Sequence, residues 1–395
     1  MKNIFIFFIF CFTFAKAQNT WVQKADFVGG ARMFAVGFSI GGKGYVGLGR
    51  DSLGNNSNDF WEYDPLTDAW TQKANFGGTS RILAVGFSIG NKGYIGTGND
   101  ITSHFTKDFW EYDPVLDIWT RKSDFGGDAR EYATGFSIGN KGYIGTGYDS
   151  TFHSRKDFWE YDQITDSWIQ RADFAGTPRA GATGFSIGSK GFIAQGSDTT
   201  SPYNTYDFWE YDQLTDSWSQ KADLLSSRTL SVGFSIGPKG YVGTGSDYQA
   251  DGHSEFMEYD TSANTWTLKS PVGGSGKKGA IAFSIGLKGY IGLGSDYPGP
   301  FNDFWEYTPD FGNEILEFSS QNNFSIFPNP AISNFTINTE LKNVRVEIYN
   351  FLGVNVYSTT IYCEQKTISD KLPSGIYVVK ITEGEKQLTE KLIVQ

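Results

Sequence analysis

Six cations recur in this chain at a nearly constant distance behind a tryptophan, and they form its most regular set of chemically active side chains. The spacing is eleven residues in five cases and ten in the sixth. Guanidinium groups suit carboxylates and sulfates because their planar N–H forks match those anions. The pattern predicts either a ring of cations that binds an acidic ligand, or cations that each tie a loop to a neighbouring repeat. The residues are Arg32, Arg81, Arg130, Arg179, Arg228 and Lys277.

Two acidic residues frame a polar loop in each repeat. Paired carboxylates can hold calcium, but the residues between these acids lack the regular oxygen spacing of a calcium loop. Capping of loop amides by the acids is the simpler interpretation. The first acids are Asp51, Asp100, Asp149, Asp198, Asp247 and Asp296, and the second are Asp59, Asp108, Asp157, Asp207, Glu255 and Asp303.

The loops between these acids differ from repeat to repeat and carry scattered aromatic residues. Variable loops on a rigid scaffold are where binding surfaces are built. Aromatic rings beside polar groups also suit the faces of sugars, although drift in unselected loops would look similar. The aromatic residues predicted to contact a ligand are Phe105, Phe152, Tyr203, Tyr248 and Tyr297.

No catalytic set or cofactor site can be assembled from the remaining residues. The three histidines, His104, His153 and His253, lie in three separate loops, so we expect solvated side chains and no metal site. The Gly-x-Gly of each repeat is not followed by a helix that could hold a phosphate. We therefore predict no catalytic residue, no metal and no cofactor.

A repeat of about fifty residues must position these side chains. Its tryptophans lie 49, 49, 49, 50 and 48 residues apart. One unit contains four strand-like segments separated by turns, at 83–89, 94–98, 109–112 and 119–122. This period and strand number predict the blade of a β-propeller. The tryptophans are Trp21, Trp70, Trp119, Trp168, Trp218 and Trp266.

The last copy of the repeat lacks its fourth strand, and a matching segment occurs before the first copy. The segment Asp303-Phe304-Trp305-Glu306-Tyr307 has no tryptophan segment after it, whereas Trp21 opens one with nothing before it. We predict that residues 21–24 pair beside residues 304–307. That pairing closes a ring of six blades and leaves no open edge.

Residues 19–307 resemble the kelch family of β-propellers. Arg81, Tyr94, Tyr112 and Trp119 match the arginine, the two tyrosines and the tryptophan of the family unit, whereas its glycine pair is replaced here by Thr97-Gly98. The resemblance also covers copper-radical oxidases, which need a cysteine cross-linked to a tyrosine, and residues 18–307 contain no cysteine. It covers in addition bacterial proteins that interconvert sugar anomers such as those of sialic acid.

The first residues read as a secretory signal peptide. Lys2 precedes an apolar run at 4–14, and Ala15-Lys16-Ala17 forms a cleavage site that places the cut between Ala17 and Gln18. The run is too short to span a membrane. The predicted domains are a signal peptide at 1–17, the propeller at 18–307, a linker at 308–320 and a small β-sandwich at 321–395.

The last 75 residues resemble the C-terminal sorting domain of the type IX secretion system of Bacteroidetes. The matching segments are Phe327-Pro328-Asn329-Pro330, the hairpin at Gly353, the run at 372–377 and Lys391-Leu392-Ile393. The resemblance implies an interaction with the type IX machinery, export across both membranes, and a final location on the outer cell surface or outside the cell.

Net charge and cysteine content limit the classes of partner that we expect. The formal net charge is −11, which disfavours nucleic acid and anionic lipid. Cys363 is the one cysteine left after signal removal, so we expect no intramolecular disulfide. We also expect a monomer. We predict an all-β, exported binding or adhesion module that recognises a glycan or a protein on its loop face. The alternative is an enzyme on glycans, such as a sugar mutarotase or epimerase, which the near identity of the blades disfavours.

Overall fold

The computed structural model has only β-strands as regular elements among the residues it describes. These residues are 19–198, 204–247, 249 and 251–310, and in the tail 324–327, 329, 331, 334–339, 343–350, 355–362, 365–369, 372–373, 375–383 and 386–394. The chain divides into two compact units, which meet between Asp310 and Phe311.

The first unit is a ring of six four-stranded antiparallel sheets, which confirms the predicted propeller. The first strands are Val36–Ile40, Val85–Ile89, Thr134–Ile138, Thr183–Ile187, Val232–Ile236 and Ile281–Ile285. The second strands are Lys43–Gly47, Lys92–Gly96, Lys141–Gly145, Lys190–Ala194, Lys239–Gly243 and Lys288–Gly292. The third strands are Phe60–Asp64, Phe109–Asp113, Phe158–Asp162, Phe208–Asp212, Phe256–Asp260 and Phe304–Thr308. The fourth strands of blades 1 to 5 are Ala69–Lys73, Ile118–Lys122, Ser167–Arg171, Ser217–Gln220 and Thr265–Leu268.

Blade 6 takes its fourth strand, Thr20–Gln23, from the beginning of the propeller. Trp21 lies opposite Tyr307 in this pairing. The indole Nε1 of Trp21 donates to the carbonyl of Ser270 at 3.0 Å, and its ring lies 5.0 Å from that of Phe256 in blade 5. The strand therefore completes one blade and fastens it to the preceding one.

A third-strand phenylalanine joins each blade to the next. The Phe109 ring packs edge-on against Tyr161 and Trp168 of blade 3, at centroid distances of 4.8 and 5.0 Å. All three positions bury most of their rings, and such pairs are worth about 0.5–1.5 kcal/mol beyond burial itself. The same contact recurs at all six boundaries, because each repeat supplies one phenylalanine to its successor.

The tryptophan that defines the period closes a second contact between blades. Trp119 of blade 2 donates to the carbonyl of Ala74, which follows the last strand of blade 1, at 3.0 Å. Asp117 accepts from the amide of Ala74 at 2.9 Å and from Tyr112 at 2.7 Å. Both backbone groups of one residue are thus held by the neighbouring blade, and we call this arrangement the tryptophan clamp.

Glycine lines the axis because the first strands crowd there. A Cβ added to Gly86 would lie 2.0 Å from Cγ1 of Val36 in blade 1. No larger residue fits at that distance without moving a strand.

The second unit is a β-sandwich, as predicted from the sequence. One sheet contains Phe324–Phe327, Phe335–Thr339 and Gln365–Ile368, and the other contains Asn355–Ile361, Val344–Asn350, Gly375–Glu383 and Lys386–Val394. Side chains from both sheets share one buried core, which includes Phe335, Ile337, Val346, Val379 and Leu392.

Ring closure gives a first prediction. Deleting residues 19–24 removes the outer strand of blade 6 and exposes the hydrogen-bonding edge of Phe304–Thr308. We expect the shortened propeller to lose most of its cooperative unfolding transition, measured by thermal denaturation. Val22→Ala is the matched control, because this side chain of the same strand is 51% exposed and should cost less than about 0.5 kcal/mol. A deletion variant that melts like the parent would contradict closure by this strand.

Candidate functional site

The connections between blades and the variable loops lie on one face of the propeller, which we call the loop face. Short strand pairs join them: Arg81–Ile82 with Asn99–Asp100 in blade 2, and Arg130–Glu131 with Tyr148–Asp149 in blade 3. The tight turns between first and second strands lie on the opposite face. This geometry brings the sequence-predicted cations and loop aromatics onto the same side of the protein.

Five of the six predicted cations are buried in the structure, and the sixth, Arg228, is partly buried. Arg81 is 1% exposed, and its guanidinium makes a bidentate pair with Asp108 at 2.6 and 2.8 Å. It also donates to the carbonyl of Thr97 at 3.1 Å and lies over the ring of Phe76. Every one of the six cations pairs with the second loop acid of its own repeat: Arg32 with Asp59, Arg81 with Asp108, Arg130 with Asp157, Arg179 with Asp207, Arg228 with Glu255, and Lys277 with Asp303.

These ion pairs favour the structural alternative for the cations, with one change. The partner is an acid of the same blade, where we had expected contact with a neighbouring repeat. Burial alone would raise the pKa of Asp108, but the hydrogen bonds and charge of Arg81 outweigh burial and hold that pKa below its usual range. A guanidinium that is itself buried and paired with a carboxylate of its own blade has few donors left for a ligand.

Substitution of Arg81 distinguishes a structural role of this arginine from a role in ligand binding. Arg81→Ala leaves the Asp108 carboxylate without its partner, and breaking a buried pair in this way costs about 3–5 kcal/mol. Arg81→Lys is the matched variant, because blade 6 already carries Lys277 at this position, and it should cost less. Denaturant unfolding at neutral pH measures both. A stable Arg81→Ala protein would return this arginine to the list of ligand contacts.

The first loop acids cap their own loops. Oδ1 of Asp100 accepts from the amide of Thr102 at 2.8 Å and from the amide of His104 at 3.1 Å. Asp149 holds its loop in the same way, through the amides of Thr151 and His153. Among the described residues no group of three or more His, Cys, Asp or Glu side chains could hold a metal. The capping interpretation therefore accounts for these acids.

The predicted loop aromatics fall into separate places. Phe105 and Phe152 meet edge to face at 5.6 Å across the boundary of blades 2 and 3, and Phe152 is 72% exposed. Tyr297 is 95% exposed and belongs to blade 6. Tyr203 and Tyr248 lie outside the described residues. Of the predicted aromatics that the structure describes, only Phe105 and Phe152 form a joint aromatic surface.

The mouth of the central channel opens on the loop face inside a ring of backbone hydrogen bonds. One residue per blade adopts a left-handed conformation there. In five of the six blades its amide donates to the carbonyl of its counterpart in the preceding blade, as from Gly181 to Tyr132 at 3.0 Å. A cavity of about 160 Å³ lies within this ring. The ring positions are Phe34, Leu83, Tyr132, Gly181, Leu230 and Gly279. Two glycines, in blades 4 and 6, make the mouth asymmetric.

A polar cluster that the sequence analysis missed stands beside this mouth. Glu131 is 8% exposed, and its carboxylate accepts a hydrogen bond from the side-chain amide Nδ2 of Asn99 at 2.9 Å. Tyr132 lies 6.1 Å from Tyr148 and 6.3 Å from Phe34, in both cases edge to face. Burial raises the pKa of Tyr132 to about 12, so the phenol remains a hydrogen-bond donor at neutral pH.

Arg50 completes the cluster with a positive charge. Its Nε donates to Asn56 at 2.9 Å, and its charge acts on both Glu131 and Tyr132. It forms no ion pair with any residue that the structure describes. We call Arg50, Asn99, Glu131, Tyr132 and Tyr148 the mouth cluster.

The signal for this cluster was present in the sequence at two positions of the repeat. The residue after each cation varies where its neighbours do not, and so does the residue after each Gly-x-Gly. The first set reads Met33, Ile82, Glu131, Ala180, Thr229 and Lys278, and the second reads Arg50, Asn99, Tyr148, Ser197, Ser246 and Ser295. These two sets pair with each other around the mouth.

The buried carboxyl of Glu131 gives a pH-dependent prediction. Burial raises its pKa above the ordinary value of 4.5, and this effect outweighs the hydrogen bond from Asn99 and the charge of Arg50. The unfolded chain therefore loses this proton first, and stability falls as pH rises from about 4.5 to the raised value. Glu131→Gln removes that loss, so we expect it to be more stable than the parent at pH 7 and to lose this advantage below pH 4.5. A difference in unfolding free energy that stays constant across this range would contradict the prediction.

The fold defines the class of protein: the first unit is a six-bladed β-propeller. The second unit identifies its destination. Residues 325–395 match the family model described as "Secretion system C-terminal sorting domain". The tail is thus a type IX sorting domain, and the protein is exported to the cell surface or beyond.

Comparison with solved structures agrees with the propeller. The structure titled "Structure of YjhT" is similar, with a TM-score of 0.59 and 16% identity, over 71% of this chain and 96% of that one. At this level of identity the likeness concerns the fold. None of the curated proteins compared with the chain matches it. Among the described residues no helix is long and apolar enough to cross a membrane.

Proposed function

We propose that the exported propeller binds an acidic glycan at the mouth cluster, through a terminal sugar unit that enters the channel mouth. The observation that carries this proposal is the unpaired charge of Arg50. The other arginines of the described propeller all form ion pairs: Arg32, Arg81, Arg121, Arg130, Arg155, Arg171, Arg179 and Arg228. A carboxylate on the ligand would supply the partner that Arg50 lacks.

The neighbours of Arg50 suit the rest of a sugar. Glu131 and Asn99 offer acceptors and donors for hydroxyl groups, and the phenols of Tyr132 and Tyr148 can do both. Phe34 and Tyr132 present aromatic surface at the same mouth. The combination of ring stacking with convergent polar groups is typical of small-molecule sites.

The cavity limits how much of a ligand can enter. Its volume of about 160 Å³ is below the roughly 300–1,000 Å³ of most small-molecule pockets. A single sugar unit or one of its substituents fits this size better than a folded peptide. We keep the acidic ligand that the sequence suggested, but we now propose that Arg50 binds it in place of the repeated arginines.

A second candidate function is exchange of sugar anomers, and the raised pKa of Glu131 supports it. Opening a sugar ring requires a proton to reach the ring oxygen while another leaves the anomeric hydroxyl. Burial raises the pKa of the Glu131 carboxyl, so it holds its proton to a higher pH than an ordinary glutamate and can both donate and accept one. The resemblance to kelch proteins that interconvert sialic acid anomers points the same way. The asymmetric mouth cluster removes our earlier objection that identical blades offer no such group.

The test uses the repeat as its own source of tolerated residues. Arg50→Ser and Glu131→Ala introduce the residues that blade 4 carries at these positions, Ser197 and Ala180. Calorimetric titration with N-acetylneuraminic acid and glucuronic acid should show about ten- to hundredfold weaker binding for Arg50→Ser, since a charge-assisted contact is worth about 1.5–3 kcal/mol. Lys190→Gln, on the opposite face, controls for the loss of one charge.

The same variants distinguish binding from catalysis. Exchange spectroscopy by NMR measures whether the protein accelerates anomer interconversion of the bound sugar. Acceleration that Glu131→Ala abolishes while binding survives would establish the enzyme. Equal affinity of the parent and Arg50→Ser for both sugars would overturn the mouth as the ligand site.

A further inference from the structure

Two lysines of the propeller, Lys107 and Lys156, differ from the others in their surroundings. Lys278 aside, every other lysine in the described propeller lies in an ion pair: Lys24, Lys43, Lys73, Lys92, Lys122, Lys141, Lys190, Lys221, Lys239, Lys269, Lys277 and Lys288. Lys107 and Lys156 have no such partner among the described residues, and both are exposed. In a chain of net charge −11 the free cations are therefore few.

Both lysines line the same groove on the loop face. The groove lies over blade 3, has a volume of about 540 Å³, and is bordered by Lys107 of blade 2. The wall also contains Arg155, Trp159 and Gln170. It is larger than the cavity at the mouth and lies farther from the channel axis, where the third strands begin.

Two of the three acids in this groove form ion pairs. Asp157 is held by Arg130 and by the indole of Trp159, at 2.7 and 2.8 Å. Asp128 pairs with Arg155 at 2.9 Å. The third, Asp173, accepts a hydrogen bond from the side chain of Gln170 at 3.4 Å. The charges of the groove that lack an ion pair among the described residues are therefore the two lysines and Asp173, which leaves the lysines in excess. Two further polar atoms in its wall, Oγ of Ser154 and Nε of Arg155, are buried without a hydrogen-bond partner in the described part of the chain.

The lysines are specific to this sector. At the same position, just before the second loop acid, blades 1 and 6 carry Asn58 and Asn302. Blades 4 and 5 carry Tyr206 and Ser254. A structural need of the repeat would have placed lysine in all six.

We propose that this groove is a second subsite, which takes an anionic group, a carboxylate or a sulfate, on a later unit of an oligosaccharide. The inference rests on the proposed function, because the same oligosaccharide would place its terminal sugar at the channel mouth. The aromatic pair Phe105–Phe152 belongs to the loops of blades 2 and 3, the blades that supply both subsites. The ligand is then a repeating acidic glycan, recognised at more than one charge.

The experiment compares short and long acidic sugars. Lys107→Asn and Lys156→Asn copy the residues of blades 1 and 6, so the double variant should fold like the parent. For an oligogalacturonate, which carries carboxylates only, we expect about tenfold or greater loss of affinity in the double variant. For a carrageenan oligosaccharide, which carries sulfates only, a similar loss would identify sulfate as the anion. Binding of the parent should weaken with added salt.

The controls separate this subsite from the mouth. A single galacturonic acid unit should bind the double variant and the parent equally, whereas Arg50→Ser should weaken it. Lys190→Gln should bind every sugar like the parent. Equal affinity of the parent and the double variant for the oligosaccharides would overturn the groove and leave the mouth in place. Failure of both anionic oligosaccharides to bind the parent would also overturn the groove, and the mouth would then be judged by its titration with single sugars.

Discussion

The tryptophan clamp is the contact on which the propeller depends. At five of the six junctions it satisfies both backbone groups of the residue that follows a blade, where the chain leaves one sheet for the next. At the sixth, Trp21 holds the carbonyl of Ser270. Without it, those groups would face the junction between two packed sheets with no partner, at a cost of several kcal/mol. Because the indole also packs on the preceding blade's phenylalanine, one side chain joins hydrogen bonding and burial at every boundary. The spacing of the tryptophans in the sequence follows from this role.

Much of the fold was therefore readable from the chain. A residue type that must appear once per blade marks the period, and Trp21 at the start with no tryptophan after Tyr307 marks where the ring closes. The role of the cations was harder to predict. Spacing shows where a side chain lies along the repeat, but it does not show which residues that side chain contacts. Arg81 and Asp108 lie 27 residues apart, and only the hairpin between them brings the two together. Sequence repetition was evidence of structure for both residues, whereas the sequence analysis had left a structural and a ligand-binding role open for the arginine.

The candidate site illustrates the opposite case. Glu131 was overlooked because the blades were treated as equal, whereas its position is one at which every blade differs. Its properties also need three-dimensional context: the Asn99 amide comes from another blade, and the raised pKa comes from burial beside the mouth. In a symmetric ring, a ligand that is itself asymmetric can be recognised only through departures from symmetry. The charged residues of the two candidate subsites, Arg50, Glu131, Lys107 and Lys156, lie in blades 1 to 3.

Closure by Thr20–Gln23 has a consequence for how the chain folds. Its partner Phe304–Thr308 lies more than 280 residues away, so the two ends must find each other across almost the whole domain. Bringing together the ends of a loop of that length costs about 5 kcal/mol of chain entropy, and that cost falls on the last contact to form. During synthesis, which proceeds from the N-terminus, the outer strand of blade 6 would be made first and would pair last. Because this closing contact is so distant in sequence, it predicts slow completion of the ring.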